Sequence, residues 1–149
     1  MAEEKKGFCV GPSGLIVDHD DINYALLEHV FGEETFVLRR ARDGNEGLRI
    51  LKEIDRCDVI IVNRTPHSSN DVEFLRQLRA AAPYVGIPVL VETSSNNPRA
   101  LMEAMQAGAC CCYTKPYDPG VLVKTVLRIT NRENADASSG KLSDTTAQP

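Results

Sequence analysis

The stretch Asp58-Val59-Ile60-Ile61-Val62-Asn63-Arg64-Thr65-Pro66 decides the fold. Four β-branched residues, Val59 to Val62, run unbroken into a polar tip, the pattern of a strand buried on both faces. Such strands belong to parallel sheets covered by helices, where functional groups gather beyond the carboxyl ends of the strands. Here the tip is Asn63, an amide that does not ionise, is a poor nucleophile and holds a cation weakly.

Similar runs recur on either side. "GLIVD" ends at Asp18, "TFVLRRA" spans Thr35 to Ala41 with the more polar far end of a sheet edge, "IPVLVET" spans Ile87 to Thr93, and "ACCCYT" spans Ala109 to Thr114. Between them the spacing turns helical. From Asp20, the residues Ile22, Ala25, Leu26, His29 and Val30 share one face, which is read as the inward one, with Gly32 as the stop. "DGNEGLRILKEI" turns Leu48, Leu51 and Ile54 inward. Asn70 or Asp71 caps a third helix with Phe74, Leu75, Leu78 and Ala82, ended by Pro83. Pro98 opens a fourth, with Leu101, Met102 and Met105 inward and Gly108 as its stop. Asp118 and Pro119 start a fifth, carrying Leu122, Val126 and Ile129. Five strands alternating with five helices specify an α/β fold, a (βα)5 flavodoxin-like doubly wound parallel sheet with strand order 2-1-3-4-5.

A chain of 149 residues supports one such domain. The expected organisation is a polar leader over 1–12, the domain over 13–132, and a tail or linker over 133–149, where "ENADASSGKLSDTTAQP" offers only Leu142 as a large apolar residue. A net charge of −4 argues against nucleic-acid binding, and no apolar run approaches the ~20 residues that span a bilayer. "MAEEKKGFCVGPSG" lacks the apolar core of a secretory signal, so the expected location is cytoplasmic. Cys9, Cys57, Cys110, Cys111 and Cys112 do not form a disulfide or zinc pattern, and read as reduced thiols with the last three packed on a buried strand.

Taken in order, "LIVDHDD", "ARDGNEGL", "DVIIVN", "IPVLVETS" and "AGACCCYTKPYDP" resemble the CheY-like receiver domain of two-component response regulators, over about residues 13 to 132. The resemblance implies a pocket at the strand ends. In that family two acidic residues after strand 1 and an Asp after strand 3 bind Mg²⁺, and the strand 3 Asp takes a phosphoryl group from a phosphohistidine. A Thr or Ser after strand 4 and a Lys after strand 5 contact the phosphoryl oxygens, and an aromatic on strand 5 repacks. A hard cation wants several anionic oxygens and the transferring group wants cationic partners, which explains these residue types. The equivalent positions here are Asp18, His19, Asn63, Thr93 and Lys115, with Cys112 at the switch position.

Three positions depart from the family pattern. His19 stands for the second acidic residue, Asn63 for the phospho-acceptor, and Cys112 for the switch aromatic, with Tyr113 on the opposite face. Pro66 also lies one place early, with His67 in the usual proline position. The resemblance therefore implies a degenerate receiver, or pseudo-receiver: no acyl phosphate at Asn63, no cofactor, Mg²⁺ binding weak or lost with Asp18 and Asp20 as the only candidates, and Lys115 paired with Asp18. Partners are expected on the face of helix 4, strand 5 and helix 5, through residues such as Arg99, Glu103, Gln106, Tyr113, Tyr117 and Lys124. They would be a histidine kinase, an output protein or a second copy.

Two other readings compete. One is a conventional phosphorylation-dependent receiver carrying an Asp→Asn change. The other is a redox or metal sensor on Cys110 to Cys112 or on His19 with His67. The sequence shows no nucleophile–base pair or Gly-rich phosphate loop, so no enzyme is expected.

Overall fold

The computed structural model describes residues 12–32, 36–64 and 71–138, with side chains to residue 130. In chain order the elements are β1 (Ser13–Val17), α1 (Asp21–Gly32), β2 (Val37–Ala41), α2 (Gly44–Glu53), β3 (Val59–Arg64), α3 (Asp71–Ala80), β4 (Val89–Thr93), α4 (Pro98–Gln106), β5 (Cys111–Thr114) and α5 (Pro119–Ser138), with a short 3₁₀ turn at Ala82–Tyr84. All strand pairs are parallel and their order is β2-β1-β3-β4-β5. This is the doubly wound sheet read from the sequence.

Alternation along the strands divides the core in two. Leu15, Val17, Ile60, Val62, Val89 and Val91 face α2, α3 and α4. Ile16, Val59, Ile61 and Leu90 face α1 and α5, where Leu27, Phe31, Leu122 and Val126 meet them. The register sets the strand ends side by side: Val17 opposes Val62, Asn63 opposes Glu92, and Arg64 opposes Thr93.

Two helices sit in a different rotational phase from the one read in the sequence. On α1 most of the expected inward stripe is outside: Ile22 is 81% exposed, and Ala25, Leu26 and His29 are exposed too, while Val30 alone of the five packs half-buried against the core. Leu27 and Phe31 are buried in its place, Phe31 edge-on to Phe36 at 4.9 Å. Both stripes satisfy the helical period, so periodicity alone could not choose. The loop before α1 chooses, because Asp20 Oδ1 caps the helix through the N–H groups of Ile22 and Asn23 (2.9 and 3.2 Å). On α4, Met102 and Met105 are exposed, while Ala104 and Ala107 are buried and let the helix lie close to the sheet.

Ala82 is exposed in the 3₁₀ turn, outside α3. The cysteine strand is also less buried than expected. Cys110 is exposed and Cys111 and Cys112 are half-buried, because β5 is an edge of the sheet. Helix α5 runs to Ser138, beyond the expected start of the tail at Glu133, since no Gly or Pro interrupts the chain before Gly140. The expected leader up to Gly11, Cys9, the start of strand 2 at Thr35, a cap at Asn70, and residues 139–149 lie outside the described residues.

The phase of α1 yields a direct test. Leu27→Ala should cost about 2–5 kcal/mol in chemical denaturation, while Ile22→Ala should stay within about 0.5 kcal/mol of wild type. The opposite ranking would place the stripe read from the sequence inside.

Candidate functional site

The carboxyl ends of β1, β3 and β4 and the segment after β5 converge on one buried polar cluster. Asp18 follows Val17 and is 1% exposed, Asn63 lies within β3 and is 3% exposed, and Thr93 ends β4, also buried. Lys115 follows β5 and is half-buried, held by its own N–H to the Thr93 carbonyl at 2.8 Å. Asp18, Asn63 and Lys115 of the expected constellation are therefore brought together, and Thr93 joins them through its backbone carbonyl. His19 is not among them: it is exposed.

The expected Lys115–Asp18 ion pair is replaced by a relay. Lys115 Nζ donates to Asn63 Oδ1 at 2.8 Å, and Asn63 Nδ2 donates to Asp18 Oδ1 at 2.8 Å. The amide uses its acceptor toward the cation and its donor toward the anion, so both charges are answered by one neutral group. A carboxylate at residue 63 would have no proton to donate to Asp18. The amide thus suits a site without a cation, and it lacks the anionic oxygen that acyl-phosphate chemistry requires.

Asp18 is well supplied with donors. Oδ1 also accepts the Asp20 N–H at 2.9 Å, and Oδ2 accepts Asn23 Nδ2 at 2.7 Å. Arg40, from β2, donates through Nε and Nη2 to the Asp18 carbonyl at 3.1 and 2.9 Å and bonds Asp21 at 2.8 Å, fixing the β1–α1 connection. Asp20, the other metal candidate, is committed to the α1 cap. Among the described residues no group of three or more His, Cys, Asp or Glu side chains is arranged to hold a metal ion. The Asp18 carboxylate is already taken up by neutral donors and Asp20 by the helix cap, so these residues do not fit the oxygen-rich shell that Mg²⁺ demands.

Three participants were not singled out for this pocket in the sequence. Glu92 precedes Thr93, is 1% exposed, and accepts Asn23 Nδ2 on Oε1 at 2.9 Å and the Tyr117 hydroxyl on Oε2. Asn23 thereby bridges two buried carboxylates. A Glu inside "VLVET" was a legible signal, since a charged residue in a buried strand requires partners. Asn23 carried no such signal. Tyr117 was expected on a partner surface, and it is instead half-buried against Glu92, its ring 5.2 Å from that of Tyr113. Tyr113 too faces the α5 side, with its hydroxyl donating to Thr125 Oγ1 at 2.7 Å.

Thr93 Oγ1 accepts the Ser95 N–H at 3.1 Å. Arg64, next to Asn63, reaches α4, with Nη1 on the Ala100 carbonyl at 3.3 Å and Nη2 on Glu103 at 3.0 Å. Cys112 packs against the α2–α4 side of the core. Burial raises its pKa, which disfavours a reactive thiolate at Cys112. His67 of the alternative metal reading, and the shifted Pro66, lie outside the described residues.

Burial raises the Glu92 pKa above the usual 4.5, against the opposing pull of the Tyr117 and Asn23 hydrogen bonds. Below that usual value Glu92 is protonated in both folded and unfolded chains and adds no pH dependence. As pH rises past it, the unfolded chain ionises first, and native stability falls until the folded group has ionised as well. The melting temperature of wild type relative to Glu92→Gln should therefore decline from pH 4.5 toward neutrality. A difference that is flat, or that grows with pH, would refute the assignment.

The family model for the response regulator receiver domain matches residues 15–127. Among curated proteins the chain is similar to the transcriptional regulatory protein AfsQ1 of Streptomyces coelicolor, 27% identical over 86% of this chain and 56% of that protein. It is likewise similar to the DNA-binding response regulator MtrA of Mycobacterium tuberculosis, 28% identical over 87% of this chain and 54% of that protein. The alignment thus spans about half the length of these relatives. Among solved structures, the chemotaxis response regulator CheY4 of Vibrio cholerae superposes with a TM-score of 0.69 at 28% identity, covering 79% of this chain and 98% of that one. A response regulator from Chloroflexus aurantiacus gives 0.73 at 28% identity, covering 82% and 100%. The matched span takes in β1 from Leu15 onward and the other four strands, together with Asp18, Asn63, Thr93 and Lys115, and the chain belongs to the response regulator receiver domain family, the signalling modules of two-component systems.

Proposed function

We propose that this receiver holds one signalling state without phosphorylation and works by binding a protein partner, as a pseudo-receiver. The observation that carries this reading is the Asn63 amide, which accepts from Lys115 and donates to Asp18. Forming an acyl phosphate requires a carboxylate nucleophile, and Asn63 offers none. Binding Mg²⁺ would require Asp18 to give up the donors of Asn63 and Asn23, with no second carboxylate free on the β1–α1 connection. The cation is therefore bound weakly or not at all.

The proposed partner surface is the face of α4, β5 and α5. Arg99, Gln106 and Lys124 are exposed there, as are Met102 and Met105 of α4. A mixed surface of long apolar and charged side chains suits a protein partner, whether a histidine kinase, an output protein or a second copy. Glu103 is paired with Arg64, and Tyr113 and Tyr117 turn into the domain, so these three contribute less than their sequence positions suggested.

The test is exposure of the protein to acetyl phosphate, or to beryllofluoride, with Mg²⁺, followed by intact mass and by amide chemical shifts at the strand ends. Unchanged mass and shifts are expected. A stoichiometric phosphoryl adduct, or tight Mg²⁺-dependent beryllofluoride binding, would establish the conventional receiver in its place. Asn63→Asp sharpens the comparison. It sets a second carboxylate against Asp18 and removes a donor from it, and should lower stability at neutral pH by about 1–3 kcal/mol. Millimolar Mg²⁺ should restore part of that loss if the substitution alone rebuilds a cation site, and leave it unchanged if His19 and the Asp20 cap still prevent one. Denaturation with and without Mg²⁺ separates the two.

A further inference from the structure

The hydrogen bonds around Asn63 do not stop at Asp18. They run from Lys115 Nζ to Asn63 Oδ1 (2.8 Å), from Asn63 Nδ2 to Asp18 Oδ1 (2.8 Å), and from Asn23 Nδ2 to both Asp18 Oδ2 (2.7 Å) and Glu92 Oε1 (2.9 Å). Glu92 Oε2 then accepts the Tyr117 hydroxyl, and Tyr117 is two residues from Lys115 along the backbone. The chain of contacts therefore closes on itself.

We infer that Asn23, Glu92 and Tyr117 form a clasp that holds the β5–α5 connection so that Lys115 stays on Asn63. They are positioning residues acting on Lys115 from the far side of the ring. Four segments are tied to the β5–α5 connection in this way: the end of β1, the first turn of α1, β3 and β4. Three features of the site argue that the ring positions Lys115 as well as stabilising the fold. First, among the described residues Lys115 contacts neither carboxylate directly; its side chain donates to a neutral amide oxygen, a shallow electrostatic hold that fixes one geometry only if the backbone is fixed too. Second, the backbone anchor on the Lys115 side is a single N–H to the Thr93 carbonyl at 2.8 Å, and the Tyr117 hydroxyl supplies the second anchor across the turn. Third, Glu92 is a buried carboxylate whose two oxygens each meet a donor, an arrangement in which losing either donor leaves charge unanswered inside the protein.

This inference deepens the reading of Asn63 as a cation-free bridge and names what keeps that bridge made. The experiment compares Tyr117→Phe with Tyr113→Phe. Each removes one tyrosine hydroxyl hydrogen bond next to the same face of α5, but Tyr113 bonds Thr125, outside the ring. The readouts are the side-chain NH₂ resonances of Asn63 and Asn23 and the hydrogen exchange of the Lys115 amide. In Tyr117→Phe both NH₂ signals should shift and Lys115 exchange should speed by about tenfold or more, the scale set by losing a hydrogen bond to a charged group. In Tyr113→Phe the two NH₂ signals should stay in place. Asn63 signals that do not move in Tyr117→Phe, or that move equally in both variants, would overturn the clasp. Beryllofluoride binding by wild type would overturn the phosphorylation-independent reading without bearing on this comparison, so the two failures are distinguishable.

Discussion

The arrangement at the strand ends depends on placing two buried carboxyl side chains beside one half-buried cation. Asp18 and Glu92 are each 1% exposed, and Lys115 is half-buried beside them. Direct ion pairing would answer one carboxylate and leave the other. The structure interposes amides instead, Asn63 between Lys115 and Asp18, and Asn23 between Asp18 and Glu92. An amide accepts at one atom and donates at the next without carrying charge at any pH, so it links the two charged groups without adding a third. The proposed phosphorylation-independent reading rests on that amide at Asn63.

The sheet makes the choice possible. Side chains alternate along parallel strands, and Asp18, Asn63, Glu92 and Lys115 all continue the parity of Ile16, Ile61, Leu90 and Tyr113, which face α1 and α5. The register then sets Asn63 directly opposite Glu92. Groups far apart in sequence meet because of strand order and parity alone, and the cap at Asp20 turns α1 so that Asn23 points into the same space. Thr93 and Cys112 have the other parity, and Cys112 accordingly packs with the α2–α4 side.

This division explains what could be read from the sequence and what could not. Strand positions were legible because continuous β-branched runs have one interpretation in a covered sheet, and the strand ends that carry Asp18, Asn63, Thr93 and Lys115 followed from them. The rotational phases of α1 and α4 were not legible, because Ile22–Ala25–Leu26–His29 competes on equal terms with Leu27–Phe31, and Met102–Met105 looks more apolar than Ala104–Ala107. Hydrophobicity ranks methionine above alanine, yet alanine wins where a helix must approach a sheet closely. The Lys115–Asp18 pair was expected because opposite charges in one pocket attract. The amide between them was in view as a lost nucleophile and was missed as a gained bridge.

An amide at the acceptor position does not require loss of order around it. A site that cycles between two states needs groups that a ligand can recruit, and here few are left over: Asp18 is held by three donors, Asp20 caps a helix, Arg64 reaches α4, and Tyr117 is engaged by Glu92. Each of these contacts is modest alone, about 0.5–3 kcal/mol in typical cases, but a bistable element needs only a few kcal/mol of bias to populate one state almost entirely. On the proposed reading, an amide in place of an ionisable acceptor, surrounded by contacts of this size, supplies the bias toward one state. The same reading has a physical consequence for the proposed partner: a face already ordered by folding would leave affinity to be set by the contacts made on it.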